Sequence, residues 1–151
     1  MKNNGVLRKK YTTQAAILAK KEGALREWVQ EFLLSEGNEG LARALRDEEA
    51  TMIEIAEVPL SLLRKIDGPE EKPHERQPLD KWEERVSRLE EVVKKGEPLP
   101  PLIVTDFWKP LEIVDGNHRH EAMTRNGVER YWTIFFLRDP HHLELVRQHI
   151  E

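Results

Sequence analysis

The chain has 151 residues, 38% of them apolar and 34% charged, with a net charge of −4 and no cysteine. This is the composition of one globular domain with a real core, and it excludes disulfides, thiolate catalysis and zinc–thiolate centres. The acidic balance leans away from a protein that coats nucleic acid, and no apolar run approaches the roughly 18 residues of a membrane helix. Met1 to Lys10 lacks the apolar stretch of a secretion signal, so the expected compartment is the cytoplasm, with no membrane partner.

From Thr13 to about Ser35, Ile17, Leu18, Leu25, Trp28, Val29, Phe32 and Leu33 recur at three- and four-residue steps, which predicts helix. Gly23 divides it into two helices and Gly37 stops it. Glu39 to Glu48 continues as helix, with Leu41, Ala42 and Leu45 inward. Between Thr51 and Val58, Ile53 and Ile55 alternate with Glu54 and Glu57, the pattern of a strand that Pro59 ends. Leu60 to Leu63 reads as a short helical turn. Asp67 to Pro78, with Gly68, Pro69, Pro73 and Pro78, reads as a long loop of the kind that serves as a lid or binding loop.

A helix starts at Asp80, where Glu83 completes a capping-box pattern, and it carries Trp82, Val86, Leu89 and Val93 on one face up to Gly96. Pro98, Pro100 and Pro101 lead into a strand at Leu102 to Thr105, and a turn from Asp106 to Pro110 joins it to a second strand, Leu111 to Val114. After Asp115, a helix from about His118 ends at Asn126-Gly127 in a left-handed cap. Tyr131 to Leu137 is a strongly apolar, central strand, and Pro140 to Ile150 a closing helix. The order predicts a mixed α/β (α+β) domain, a small sheet flanked by helices, over residues 51–151. Residues 1–50 form an N-terminal helical extension packing on that core.

Chemistry concentrates at Asp115-Gly116-Asn117-His118-Arg119. A strand runs straight into a helix there. Gly116 permits a backbone bend that other residues resist, and Asn117 tolerates the left-handed region or caps the helix. The first amides of a helix lack intrahelical acceptors and, with the helix dipole, attract anions. His118 and Arg119 add positive charge, and a guanidinium grips two phosphate oxygens at once. Asp115 suits a metal ion or a proton leaving a hydroxyl. The same five residues would also serve as a plain helix cap with a basic first turn, an arrangement that opposes the dipole unless an anion offsets it.

The turn, followed by Glu121-Ala122 and Asn126-Gly127-Val128, resembles the signature of the ParB/sulfiredoxin superfamily. Glu57 to Leu63 looks like that family's opening strand, and Leu99 to Val104 like its second, so the resemblance covers roughly Thr51 to Leu137. It implies nucleoside di- or triphosphate binding at the turn. The residue after the glycine is the reactive cysteine in sulfiredoxins and is Asn117 here, which rules out sulfinic acid reduction. Partitioning members carry Gly-Glu-Arg-Arg at this place.

The free-serine kinase branch, with Asp-Gly-His-His-Arg and an upstream Lys-Pro-His-Glu, is a closer match, since Lys72-Pro73-His74-Glu75 stands in the long loop. That likeness implies Glu75 and Asp115 as catalytic pair. It gives Gly116, Asn117, His118 and Arg119 to the nucleotide phosphates, and Mg²⁺ to Asp115. The expected activity is phosphoryl transfer from ATP or ADP to a small hydroxyl substrate, or nucleotide hydrolysis. The rival expectations are a metal-dependent DNA nuclease and a non-enzymatic nucleotide-sensing or DNA-associated adaptor.

Other features read as structural. Trp28, Trp82 and Trp132 fit a core, whereas Trp108 at a hairpin tip suits stacking or edge cover. His141, His142 and His149 fit a solvated helix better than a metal site. Thr12 to Ser35 also fits a helix-turn-helix, but its Trp28–Phe32 face suits packing on the sheet or on a second copy, a homodimer through the N-terminal helices.

Overall fold

A computed structural model describes residues 11–46, 51–65 and 79–150. The helices are α1 (Thr13–Lys21), α2 (Leu25–Ser35), α3 (Glu39–Arg46), α4 (Leu79–Lys94), α5 (Asn117–Arg125) and α6 (Pro140–Gln148). The strands are β1 (Met52–Pro59), β2 (Leu102–Thr105), β3 (Glu112–Asp115) and β4 (Arg130–Leu137), with a 3₁₀ turn at Leu60–Leu62. The strands form one sheet in the order β1-β4-β2-β3. β4 lies antiparallel to β1 and parallel to β2, while β2 and β3 are antiparallel. The expected central place of the Tyr131–Leu137 strand is therefore observed.

Alternation along the strands sends side chains to two cores, one on each face. On one face Ile55, Ile103, Ile134 and Phe136 pack with Trp28, Val29, Phe32, Leu33 and Leu45 from α2 and α3. On the other, Val58, Val104, Phe135 and Leu137 pack with Met123 of α5 and Val146 of α6. Both faces are thus covered, and the apolar stripe of the N-terminal helices is used within the same chain. Lys20 Nζ donates to the Ile53 carbonyl at 3.1 Å and Arg26 to Thr51 Oγ1 at 3.2 Å, which tie those helices to β1.

The helix boundaries follow local chemistry. Thr12 caps α1 by accepting the Ala15 amide at 3.2 Å. α5 closes as expected from Asn126-Gly127: Gly127 has φ 76°, and the Val128 and Gly127 amides return to the Met123 and Thr124 carbonyls. Beyond the 3₁₀ turn, the chain runs along the outer rim of β3. The Arg64 amide donates to the Leu111 carbonyl and the Ile113 amide to the Arg64 carbonyl, both at 2.8 Å.

The closing helix differs from expectation in one respect. His141 is solvated, but His142 is not simply so: its Nδ1 lies 2.7 Å from Oδ2 of Asp106, a carboxylate almost sealed from water. Asp106 also accepts the Arg138 and Asp139 amides at 2.8 and 3.0 Å. Burial alone would raise the Asp106 carboxyl, but these donors, His142 foremost, outweigh it and hold it below the ordinary range. The pair pins the start of α6 to the end of β2.

Candidate functional site

The Asp115–Arg119 turn sits where β3 passes into α5. Along β2 and β3 the register jumps, with Ile103 opposite Asp115 and Val104 opposite Ile113. Val114 is therefore an extra residue, a bulge that re-aims the end of the strand and with it Asp115. Gly116 follows with φ 107°, as the residue preceding α5, and has no side chain with which to cap the helix. A Cβ at Gly116 would stand 2.6 Å from Leu102 Cδ2 and 2.9 Å from an Arg119 nitrogen. Backbone angle and close approach both require glycine here.

Arg119 is turned back over this glycine. Its Nη2 donates to Asp115 Oδ2 at 3.0 Å and to the Pro101 carbonyl at 2.9 Å, and its guanidinium lies 5.9 Å from the Phe32 ring centre. The residue is only 8% exposed, and its Nε has no hydrogen-bond partner among the described residues. The charge that opposes the helix dipole is thus answered inside the chain by Asp115, and one donor remains unsatisfied at the cleft wall. Asn117 is buried, and its side-chain amide donates to the Ile113 carbonyl at 3.3 Å rather than capping the helix. His118 lies against Trp82 of α4, with ring centres 4.5 Å apart.

α4 is held to α5 along its length. Trp82, Val86 and Ala122 form a small core, and Arg125 bonds Glu83 at 2.7 and 2.8 Å and Glu121 at 2.8 Å. This packing brings Arg85 and Arg88 to the mouth of a cleft of about 800 Å³ whose floor includes Asp115, Gly116 and His118. Arg88 also pairs with Glu84 one turn away. Across the cleft stand Ser35 and Glu36, at the end of α2. Crowding by the cleft walls, then the Asp115 charge, push the Glu36 carboxyl above its ordinary range, while Arg119 pulls the other way.

Five of the six expected site residues therefore line one cleft; the sixth, Glu75, lies outside the described residues together with the rest of Lys72 to Glu75. Glu36, Arg85 and Arg88 are not marked by the sequence reading. Arg85 and Arg88 flank the Trp82–Val86–Leu89 stripe, which is a usable signal. Glu36 carries none, because only the packing of α2 on the sheet brings it here. Among the described residues no cluster of three or more His, Cys, Asp or Glu would hold a metal ion by itself. Asp115 accepts Arg119 on Oδ2, which leaves Oδ1 as its readier oxygen for a ligand. That suits Mg²⁺ arriving with phosphates, as this ion commonly does.

Fold and turn together define a mixed α/β domain with a cleft at a strand-to-helix junction. No family model and no curated protein matches the chain. Among solved structures it is similar to the C2221 form of a Pnob8-like ParB-N domain, at 16% identity over 65% of this chain, with a TM-score of 0.42. It is similar to sulfiredoxin from Arabidopsis thaliana, at 20% identity over 60% of this chain, with a TM-score of 0.39. A pNOB8-like ParB N-domain follows at 16% identity over 65% of this chain, with a TM-score of 0.38. The chain spans 37% and 34% of the two ParB chains and 97% of the sulfiredoxin. The likeness is one of fold alone. No helix among the described residues is long and apolar enough to cross a membrane.

Proposed function

We propose that this cleft binds the phosphates of a nucleotide and that the protein transfers a phosphoryl group from it to a small hydroxyl substrate or to water. The observation that carries the reading is the Arg119 Nε, buried and without a hydrogen-bond partner among the described residues, beside a helix whose N-cap residue, Gly116, has no side chain. An anion seated there would satisfy that donor and meet the positive end of the helix dipole. Arg85 and Arg88 at the mouth supply charge for the distal phosphates, and the His118 ring, braced by Trp82, borders them. Phosphoryl transfer asks the protein mainly to position groups and offset charge, which is what this set of residues can do. Mg²⁺, held by Asp115 and the phosphates, would offset charge on the transferred group. Glu75 would act as the base by its likeness to the kinase branch.

Titration calorimetry of the full chain with ATP, ADP, CTP and GTP in Mg²⁺ tests the reading. At least one nucleotide is expected to bind, with Arg85→Ala and Arg88→Ala each weakening it about tenfold, as for loss of a charge-assisted contact. Release of phosphate, or its transfer to an added hydroxyl compound, should follow. Failure of all four nucleotides to bind would overturn the reading.

A further inference from the structure

A second cleft, of about 530 Å³, adjoins the first, and Ser35 and Glu36 line both. Its character is different. Half-buried Tyr11 is its aromatic wall, backed by the buried Phe32 ring with centres 5.8 Å apart, and Val92, Glu97, Pro98 and Pro100 complete the lining. The proline run is fixed in place: Thr13 Oγ1 donates to the Leu99 carbonyl at 3.0 Å and the Tyr131 hydroxyl donates to it at 2.9 Å. Phe32 joins the two clefts, since the Arg119 guanidinium of the first lies over its ring.

We infer that the two clefts are one nucleotide site, in which Glu36 accepts hydrogen bonds from the sugar hydroxyls and the Tyr11 ring, with Pro98 and Pro100, takes the base; this rests on the phosphate-binding reading above. Three kinds of surface follow one another in the order of a nucleotide's own parts. Donors stand at Gly116 to Arg119, an acceptor at Glu36, and an apolar wall beyond it. A carboxylate in the middle position cannot serve the phosphates, which it repels, but it is a good acceptor for the paired hydroxyls of a ribose. Aromatic and proline surfaces take the π-face of a base and give affinity without fixing which base it is. Glu36 is open to solvent and so within reach of a ligand, while the crowding and the Asp115 charge that burden its ionised form are offset by hydroxyl donors. The consequence is a division of labour. α4 and α5 hold the phosphates, whereas α2, with Tyr11 just before α1, reads sugar and base. Those reading elements lie in the N-terminal extension, outside the segment that resembles the superfamily.

Calorimetry with inorganic pyrophosphate, with ADP, CDP and GDP, and with their 2′-deoxy forms tests this. At least one ribonucleoside diphosphate should bind tenfold or more tighter than pyrophosphate, and removing the 2′-hydroxyl should forfeit about tenfold. Glu36→Ala should abolish the ribose preference and leave pyrophosphate binding unchanged or tighter. Tyr11→Ala should bring the nucleotide down toward pyrophosphate. Equal affinity for pyrophosphate and every diphosphate, or a ribose preference that survives Glu36→Ala, overturns the sugar-and-base assignment while the phosphate site stands. If neither pyrophosphate nor any nucleotide binds, the phosphate reading falls and this inference with it.

Discussion

The starts of α5 and α6 both follow directly on a strand, yet they are finished in opposite ways. At α6, Asp139 accepts the His141 amide at 2.8 Å, Pro140 occupies the first helical position where no donor is needed, and Asp106 holds the preceding amides. Donors there are consumed within the chain. At α5, Gly116 has no side chain to offer, and the nearest carboxylate, Asp115, is drawn aside to Arg119. One junction is closed by its own residues, whereas the other has glycine at its cap position and borders a cleft. The difference separates a helix start anchored by its own side chains from one that borders a cleft, although both lie at the end of a strand in the same sheet.

Arg119→Ala should break this contrast most strongly. It leaves Asp115, itself only 14% exposed in its side chain, without its cation, and loss of one partner from a buried pair costs about 3 kcal/mol or more. Urea unfolding measures the loss, and adding Asp115→Ala should recover much of it. A loss no greater than that of a simple cap would show that the pair is not what holds the turn. Asp139→Ala tests the other junction. It should cost about 1 kcal/mol, the usual worth of an N-cap, and leave nucleotide affinity unchanged. A change in affinity would mean that the two junctions are coupled.

The smallest effect concerns His120 of α5. Its Nε2 donates to the Leu60 carbonyl at 3.0 Å, and its buried Nδ1 has no partner among the described residues. Burial first, then the Lys65 charge, lower its basicity below the ordinary value of 6.5, against the pull of the Leu60 bond and Glu121. The unfolded chain therefore takes up this proton first, so stability is lost as pH falls below 6.5 and levels off below the lowered folded value. Melting curves from pH 7.5 to 5 should show His120→Gln losing less stability than the parent. Parallel curves would remove His120 from the account.

Much of this arrangement can be read from the residues before any coordinates. The Leu102–Thr105 strand is announced by prolines on one side and an unbroken apolar run, and the end of α5 by Asn126-Gly127, because both depend on local backbone chemistry. The five clustered site residues are adjacent in sequence, so their meeting in one cleft needs only the right turn. What cannot be read is whatever depends on distance across the fold. The periodicity of α2 shows which face is apolar but not whether the sheet or a second copy covers it. The Asp106–His142 pair spans 36 positions. The inward turn of Arg119 is an intermediate case. Asp115 stands four residues before it, a spacing that brings side chains together on a helix, and the pairing could have been suspected on that ground.

The outer rim of β3 carries one further consequence. Because Arg64 already bonds on either side of Glu112, an incoming extended peptide finds no continuous row of vacant amides there to copy. Any strand-by-strand growth into fibres or swapped ladders would have to begin at β1, the opposite margin. Pro59 there has no amide to give, and Glu54 and Glu57 place like charges where a second copy would align.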